Sequence, residues 1–335
     1  IHAGAGKETD IFGDSPNQIW SGFIDPDEAA EALSDSLGTP GVPTGDMIGG
    51  EAFFIDNFLI LPETSSQDGM TFGSLGIYAF QIGKRLGMLP MYDSTPSGFS
   101  DSQGIGNFGL MSYGLYNALG IVPAFPCGFN RYLMGWVEPS VICKEGMFQL
   151  EGINQPTPDD ARMARIDIGN SEYFLLVNRD HDPNFNGVFD FGDINGDGIP
   201  QNEDTLEGAE FDFFITRDTN PYTIGEDGRR RYITGSGIMI WHVDERVIEE
   251  ALSSDDFPND NRNLKGVDLE EADGVQDLDR PGGDFSFGSY YDSFREDNRE
   301  NFGPNTIPSS ISNGGFNTGI EIINISQPDT VMSFY

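Results

Sequence analysis

The sequence predicts an α+β protein whose helical signals fall in the first half and whose second half is rich in strands. Three observations carry this. Asp25-Pro26 opens a run of helical composition as an N-cap followed by a first-turn proline. Apolar residues recur at helical spacing between Gly73 and Gly87. From about Phe148 the pattern changes to short strand-like runs separated by Gly, Asp, Asn and Pro turns.

Taken in order, residues 1–25 read as a strand and loop, and Asp25 to Leu37 as the first helix. Gly38 to Gly50 is rich in Gly and Pro and is expected to be loop. In the helix from Gly73 to Gly87, Leu75, Tyr78, Ala79, Ile82 and Leu86 form one stripe expected to be buried. Phe80 and Lys84, four apart, lie on a different face. A boundary between two closely packed subdomains is placed between residues 147 and 148. Beyond it, Ser171 to Val177 and Gly237 to Val243 are the best strand candidates. Asp255 to Pro304 is acidic, Gly-rich and aperiodic, which suits a long loop or metal-ordered structure, and Thr318 to Tyr335 returns to strands.

Charge narrows the partners. With 18 basic against 55 acidic residues the formal charge is −37, which argues against nucleic acid and anionic membrane surfaces. Such an excess suits a solvated surface, calcium binding or a salty habitat. No apolar run approaches the roughly 20 residues needed to span a bilayer, so no membrane insertion is expected. Cys127 and Cys143 are the only cysteines. They are expected either to close a disulfide, a crosslink of about 3 kcal/mol in the loop-entropy picture, or to remain two free buried thiols.

The strongest positive chemical signal is a short repeat. Asp182-x-Asn184-x-Asn186-Gly187 leads to Asp193, and Asp193-x-Asn195-x-Asp197-Gly198 leads to Asp204. Each segment matches a calcium loop with oxygen side chains at positions 1, 3, 5 and 12 and a turn-forming Gly at 6. Val188 and Ile199 would offer backbone carbonyls, and Asp190 a water-bridged contact. Two calcium ions are therefore expected, in loops similar to those of dockerin or thrombospondin type 3 repeats. The closing residue is Asp rather than the bidentate Glu of an EF-hand sensor, and no helices flank the loops. A further acidic run holds Asp268, Glu270, Glu271, Asp273, Asp277, Asp279 and Asp284. Its spacing fits no metal template, so a further ion and a solvated surface both stay open.

Phe80-Gln81-Ile82-Gly83-Lys84-Arg85-Leu86-Gly87-Met88-Leu89-Pro90-Met91-Tyr92-Asp93 resembles the zinc helix and following turn of the secreted metallopeptidases related to immune inhibitor A, which read H-E-x-x-H-x-x-G-x-x-D. His2 to Glu8 with Gln18 to Ser21, Gly104 to Ser112, Gly135 to Pro139, Gly235 to Glu245 and Val267 to Gly274 are similar to further blocks of that family, in the same order. The resemblance implies a metzincin-like fold and a secreted or cell-surface location. It places Ile1 inside a core strand, with a signal peptide, a propeptide and the first strands expected upstream.

The same frame predicts that the chemistry is gone. Phe80 and Lys84 stand at the positions of the two His ligands, Gln81 at that of the Glu base and Pro90 at that of the Asp ligand. Phenyl, ammonium and pyrrolidine groups do not ligate zinc at neutral pH, and a carboxamide is no useful base. Lys84 is either a replacement for the metal's charge, paired with a carboxylate, or a plain solvent-exposed lysine. The three histidines, His2, His181 and His242, are far apart in sequence, and no G-x-S-x-G elbow occurs. No zinc, haem or catalytic residue is expected. The predicted function is a calcium-stabilised pseudopeptidase acting in an extracellular surface, matrix or filament through protein partners or self-assembly. The alternative is a peptide- or protein-binding module using the old substrate groove, and a third reading is an active secreted peptidase.

Overall fold

The computed structural model describes residues 1–10, 12–68, 73–94, 102–153, 161–169, 171–180, 222–224, 230–232, 235–280 and 287–335. Helices and sheets both occur, so the α+β class holds. Two compact units are present, Ile1–Met88 with Leu119–Ile121, and Leu89–Ala118 with Val122–Tyr335.

The first unit is built from paired ribbons and two helices. Strand β1 (His2–Ala5) is followed by β2 (Gly22–Ile24), α1 (Pro26–Leu37), β3 (Val42–Ile48), β4 (Glu51–Ile55), β5 (Phe58–Ile60), β6 (Pro62–Thr64) and α2 (Leu75–Leu86). β1 pairs with β6 in parallel, while β2–β5 and β3–β4 are antiparallel. At the start of α1 the Asp25 carboxylate accepts from the Asp27 and Glu28 amides, and Glu28 reaches back to the Asp25 amide. This capping box uses the orphan amides of the first turn. Gly38 closes the helix at φ +68°, a left-handed conformation natural to glycine. The loop expected over residues 38–50 is corrected: β3 occupies Val42–Ile48. Strand pairing with β4 here overrides the turn propensity of Pro43 and Gly45.

The second unit holds α3 (Gly128–Leu133), β7 (Ser140–Val141), β8 (Phe148–Glu151), β9 (Met163–Asp167), β10 (Glu172–Arg179), β11 (Tyr222–Ile224), β12 (Arg230–Tyr232), β13 (Gly237–Asp244), α4 (Glu245–Ser253), β14 (Val267–Leu269) and β15 (Val331–Phe334). Five strands form one sheet in the order β14-β13-β10-β9-β7. β13 pairs antiparallel with both β10 and β14, and β7 runs parallel to β9. The expected boundary at 147/148 does not coincide with the division into units, since β7 on one side of it pairs with β9 on the other.

β10 and β13 are buried along almost their whole length. That explains why both read as continuous apolar runs rather than alternating ones. One face, with Phe174, Leu176, Ile238 and Ile240, packs in a core with Leu150, Phe294, Phe302, Ile322 and Met332. The other face meets α3, where a Cβ on Gly128 would approach Val177 and Trp241 within 2.8 and 3.1 Å. The disulfide is also corrected. Cys127 is buried at the N-cap of α3 and accepts from Asn130, whereas Cys143 is exposed beyond β7, and both thiols are free.

Candidate functional site

Helix α2 forms where expected, from Leu75 to Leu86, and ends at Gly87 with φ +103°. The buried face is the correction. Leu75, Ile82 and Leu86 are exposed, while Gly76, Ile77, Phe80, Gln81 and Gly83 are buried. The helix carries apolar residues nearly all round, so periodicity alone does not choose its face. Within the unit it packs on β2 and β5, and the Tyr78 hydroxyl donates to the Pro62 carbonyl.

Phe80 and Gln81 are thus interior side chains, and Lys84 is half-buried. Among the described residues Lys84 forms no ion pair, so the expected charge replacement is not formed there. Pro90 is buried and belongs to the second unit. Residues 80, 81, 84 and 90 do not fit zinc, because the set lacks an imidazole, a thiolate and a carboxylate. The calcium-loop residues Asp182, Asn184, Asn186, Val188, Asp190, Asp193, Asn195, Asp197, Ile199 and Asp204 lie outside the described residues, as does His181.

The chemistry that the described residues do bring together lies in the second unit, around β14. Much of the acidic run beyond residue 268 is interior, not a solvated surface: Glu270 and Glu271 are buried, and Asp268, Asp273, Asp277 and Asp279 are half-buried. Three clusters arise from it.

The first is centred on His242. It pairs in register with Phe174 and Asp268, which places it between β10 and β14. Its Nε2 is 2.7 Å from Glu172 and its Nδ1 3.1 Å from Glu270. The ring lies against Phe174 with centroids 4.7 Å apart. Burial alone would favour neutral imidazole. The hydrogen bonds and charges of the two carboxylates outweigh it and lift the His242 pKa to about 9, so the imidazolium is the resident form at neutral pH. Burial opposes ionisation of Glu172 as well, but His242 and the Asn313 amide at 2.6 Å hold its carboxyl below the usual range. Glu270, more deeply buried, is pushed up in spite of the same imidazolium. His242 is a core histidine, as its apolar strand context predicts, and a charged one.

The second cluster is centred on Lys265, whose side chain is fully buried. Its ammonium donates to Asp268 at 2.8 Å and to the Gly104 carbonyl at 3.1 Å, and pairs with Asp279 at 2.7 Å. Burial works against the charge, but the two carboxylates reverse this and raise the pKa.

The third cluster is Glu271, Asp277 and Asp292, each of which offers one oxygen within 4.8 Å of the others. Burial, and then the charges of Asp292 and Asp277, push the Glu271 carboxyl up to about 11, and burial lifts Asp292 well above the carboxylate range. A surface trio, Asp10, Asp14 and Asp68, is closer to ordinary, since Lys7 already pairs with Asp10.

Sequence reasoning misses Lys265, Asp292 and the partnership of Glu172 with His242. The available signal for Asp292 is its setting in Tyr290-Tyr291-Asp292-Ser293-Phe294, an acid among aromatic residues that belong inside. For Lys265 it is an isolated cation between Leu264 and Gly266 in an acidic stretch. Compared with family models, curated proteins and solved structures, the chain matches none.

Proposed function

We propose that this chain is a non-catalytic, calcium-stabilised relative of the immune inhibitor A-like metallopeptidases, with a metzincin-like fold, secreted or displayed at a cell surface. In this reading it serves as an assembly component of an extracellular surface, matrix or filament. The observation that carries the non-catalytic part is the content of α2. The positions where the family frame needs two imidazoles and a base hold Phe80, Gln81 and Lys84, and the first two are buried. Support for assembly comes from the β3–β4 ribbon. It is a two-stranded sheet of its own, and Val42, Met47, Ile48, Phe53 and Ile55 are exposed on it. A two-stranded ribbon is marginal alone, and exposed apolar clusters of this kind suit a surface that another protein covers.

The test combines metal content with association state. Purified full chain should carry no stoichiometric zinc and show no chelator-sensitive cleavage of a denatured protein. In calcium, sedimentation velocity should show concentration-dependent self-association that Met47→Asp with Phe53→Asp reduces. Stoichiometric zinc with chelator-sensitive cleavage would overturn the non-catalytic reading. A strict monomer that binds denatured-protein peptides saturably would overturn assembly in favour of the groove.

A further inference from the structure

We propose that Glu271, Asp277 and Asp292 form a binding site for one calcium ion inside the second unit, distinct from the loops of residues 182–204. The first observation is geometric. One oxygen from each residue lies within 4.8 Å of the other two. Oxygens sharing a calcium ion at about 2.4 Å are separated by no more than about 4.8 Å, so the cluster is already within the span of one ion.

The second observation is an unmet need. Glu271 is 0% exposed. Its Oε2 accepts the Asp277 amide at 2.9 Å and the Leu278 amide at 3.4 Å. Its Oε1, however, is buried and has no hydrogen-bond partner among the described residues, and Asp277 Oδ1 is in the same state. An unpartnered carboxylate oxygen in the interior is costly, and two beside one another are more so. Asp292, also 0% exposed, is fixed by Ser289: its Oδ2 accepts the Ser289 amide at 2.6 Å and its Oδ1 the Ser289 hydroxyl at 3.0 Å. Glu271 and Asp292 are held in place by these bonds, and the cluster of three is left short of positive charge.

The buried cation whose charge bears on Glu271 does not neutralise the cluster. Lys265 already sits between Asp268 and Asp279, at 2.8 and 2.7 Å. The donor set selects the ion. Carboxylate oxygens suit hard cations rather than zinc, copper or nickel, which favour nitrogen or sulfur. Magnesium keeps several waters and asks for strict octahedral geometry, whereas calcium accepts irregular carboxylate cages, which fits two fully buried ligands. The ion would tie together the segment after β14, the 3-10 turn at Asp277–Asp279 and the segment leading to Phe294.

The test exploits a sign reversal. Full chain, Asp292→Asn and Glu271→Gln are all made in an Asp193→Asn background, which weakens both candidate calcium loops at their shared residue. In EGTA the two variants should melt at or above the parent, because each takes one acid out of a crowded interior cluster. In calcium at 100-fold excess over Kd the parent should gain about 5 °C more than either variant. Elemental analysis after desalting should count one calcium fewer per variant chain. Equal calcium responses or equal calcium counts would overturn the site. Magnesium matching calcium at equal concentration would overturn the choice of ion. Failure of both variants to fold in EGTA would show the carboxylates acting as structural acceptors, which also overturns it.

Discussion

The buried His242 clamp predicts a specific loss of stability in mild alkali. The imidazolium is held by Glu172 at 2.7 Å and Glu270 at 3.1 Å. Its pKa rises from an ordinary 6.5 to about 9. A group whose folded pKa is raised stabilises the fold fully below its unfolded pKa, and that contribution is lost as pH climbs through the folded value. The window is therefore pH 6.5 to 9. At about 1.4 kcal/mol per pH unit the full loss is about 3 kcal/mol. Urea denaturation at fixed calcium, at pH 6.5, 7.5, 8.5 and 9.5, measures it directly. His242→Gln should be less stable than the parent at pH 6.5, because two carboxylates lose their cation, and its stability should vary far less over the window. Buried Cys127, whose thiol burial pushes up, is common to both proteins. A flat profile in the parent, or the same slope in His242→Gln, would refute the charged-histidine reasoning.

Two further predictions concern buried charge and backbone conformation. Lys265→Met should cost about 3–5 kcal/mol in urea denaturation, because it strands Asp268 and Asp279 around a fully buried position; a loss below about 1 kcal/mol would contradict the ion pairing. Gly104→Ala should cost at least about 2 kcal/mol, since φ is +58° and the new Cβ would lie 1.9 Å from the Met91 carbonyl oxygen. Gly38→Ala, at φ +68° with nothing within 4 Å of the Cβ, should cost only about 1 kcal/mol. Equal shifts in melting temperature for the two would sink the close-approach argument.

What was legible in the sequence followed from local chemistry. Asp25, Pro26 and Glu28 specify the start of α1 by themselves, because cap, proline and capping box all act within four residues. β10 and β13 announce themselves by nearly continuous apolar runs, the pattern of strands buried on both faces. What was illegible depended on partners remote in the chain. β3 exists because β4 pairs with it, against its own Gly and Pro content. The buried face of α2 is chosen by β2 and β5, since the helix is apolar on several sides. Cys127 and Cys143 are even in number but differ in burial, which spacing does not reveal. The acidic run looks like solvated surface until β14 takes its place beside β13 and draws Glu270 and Glu271 inside.

The segment Gln103–Phe108 carries a consequence for how the chain is made. Its Gln103 amide is met by the Leu278 carbonyl at 2.7 Å, its Asn107 amide by the Phe287 carbonyl at 2.8 Å, and its Gly104 carbonyl by Lys265. A nascent chain stopped short of Phe287 lacks a native acceptor for Asn107, so this strip of backbone waits, wet or chaperoned, while roughly 180 more residues leave the ribosome. The second unit should consequently close only after nearly all of it has been synthesised, in one late step across a long loop, and fragments ending before Phe287 should remain protease-sensitive between Ser102 and Ser112.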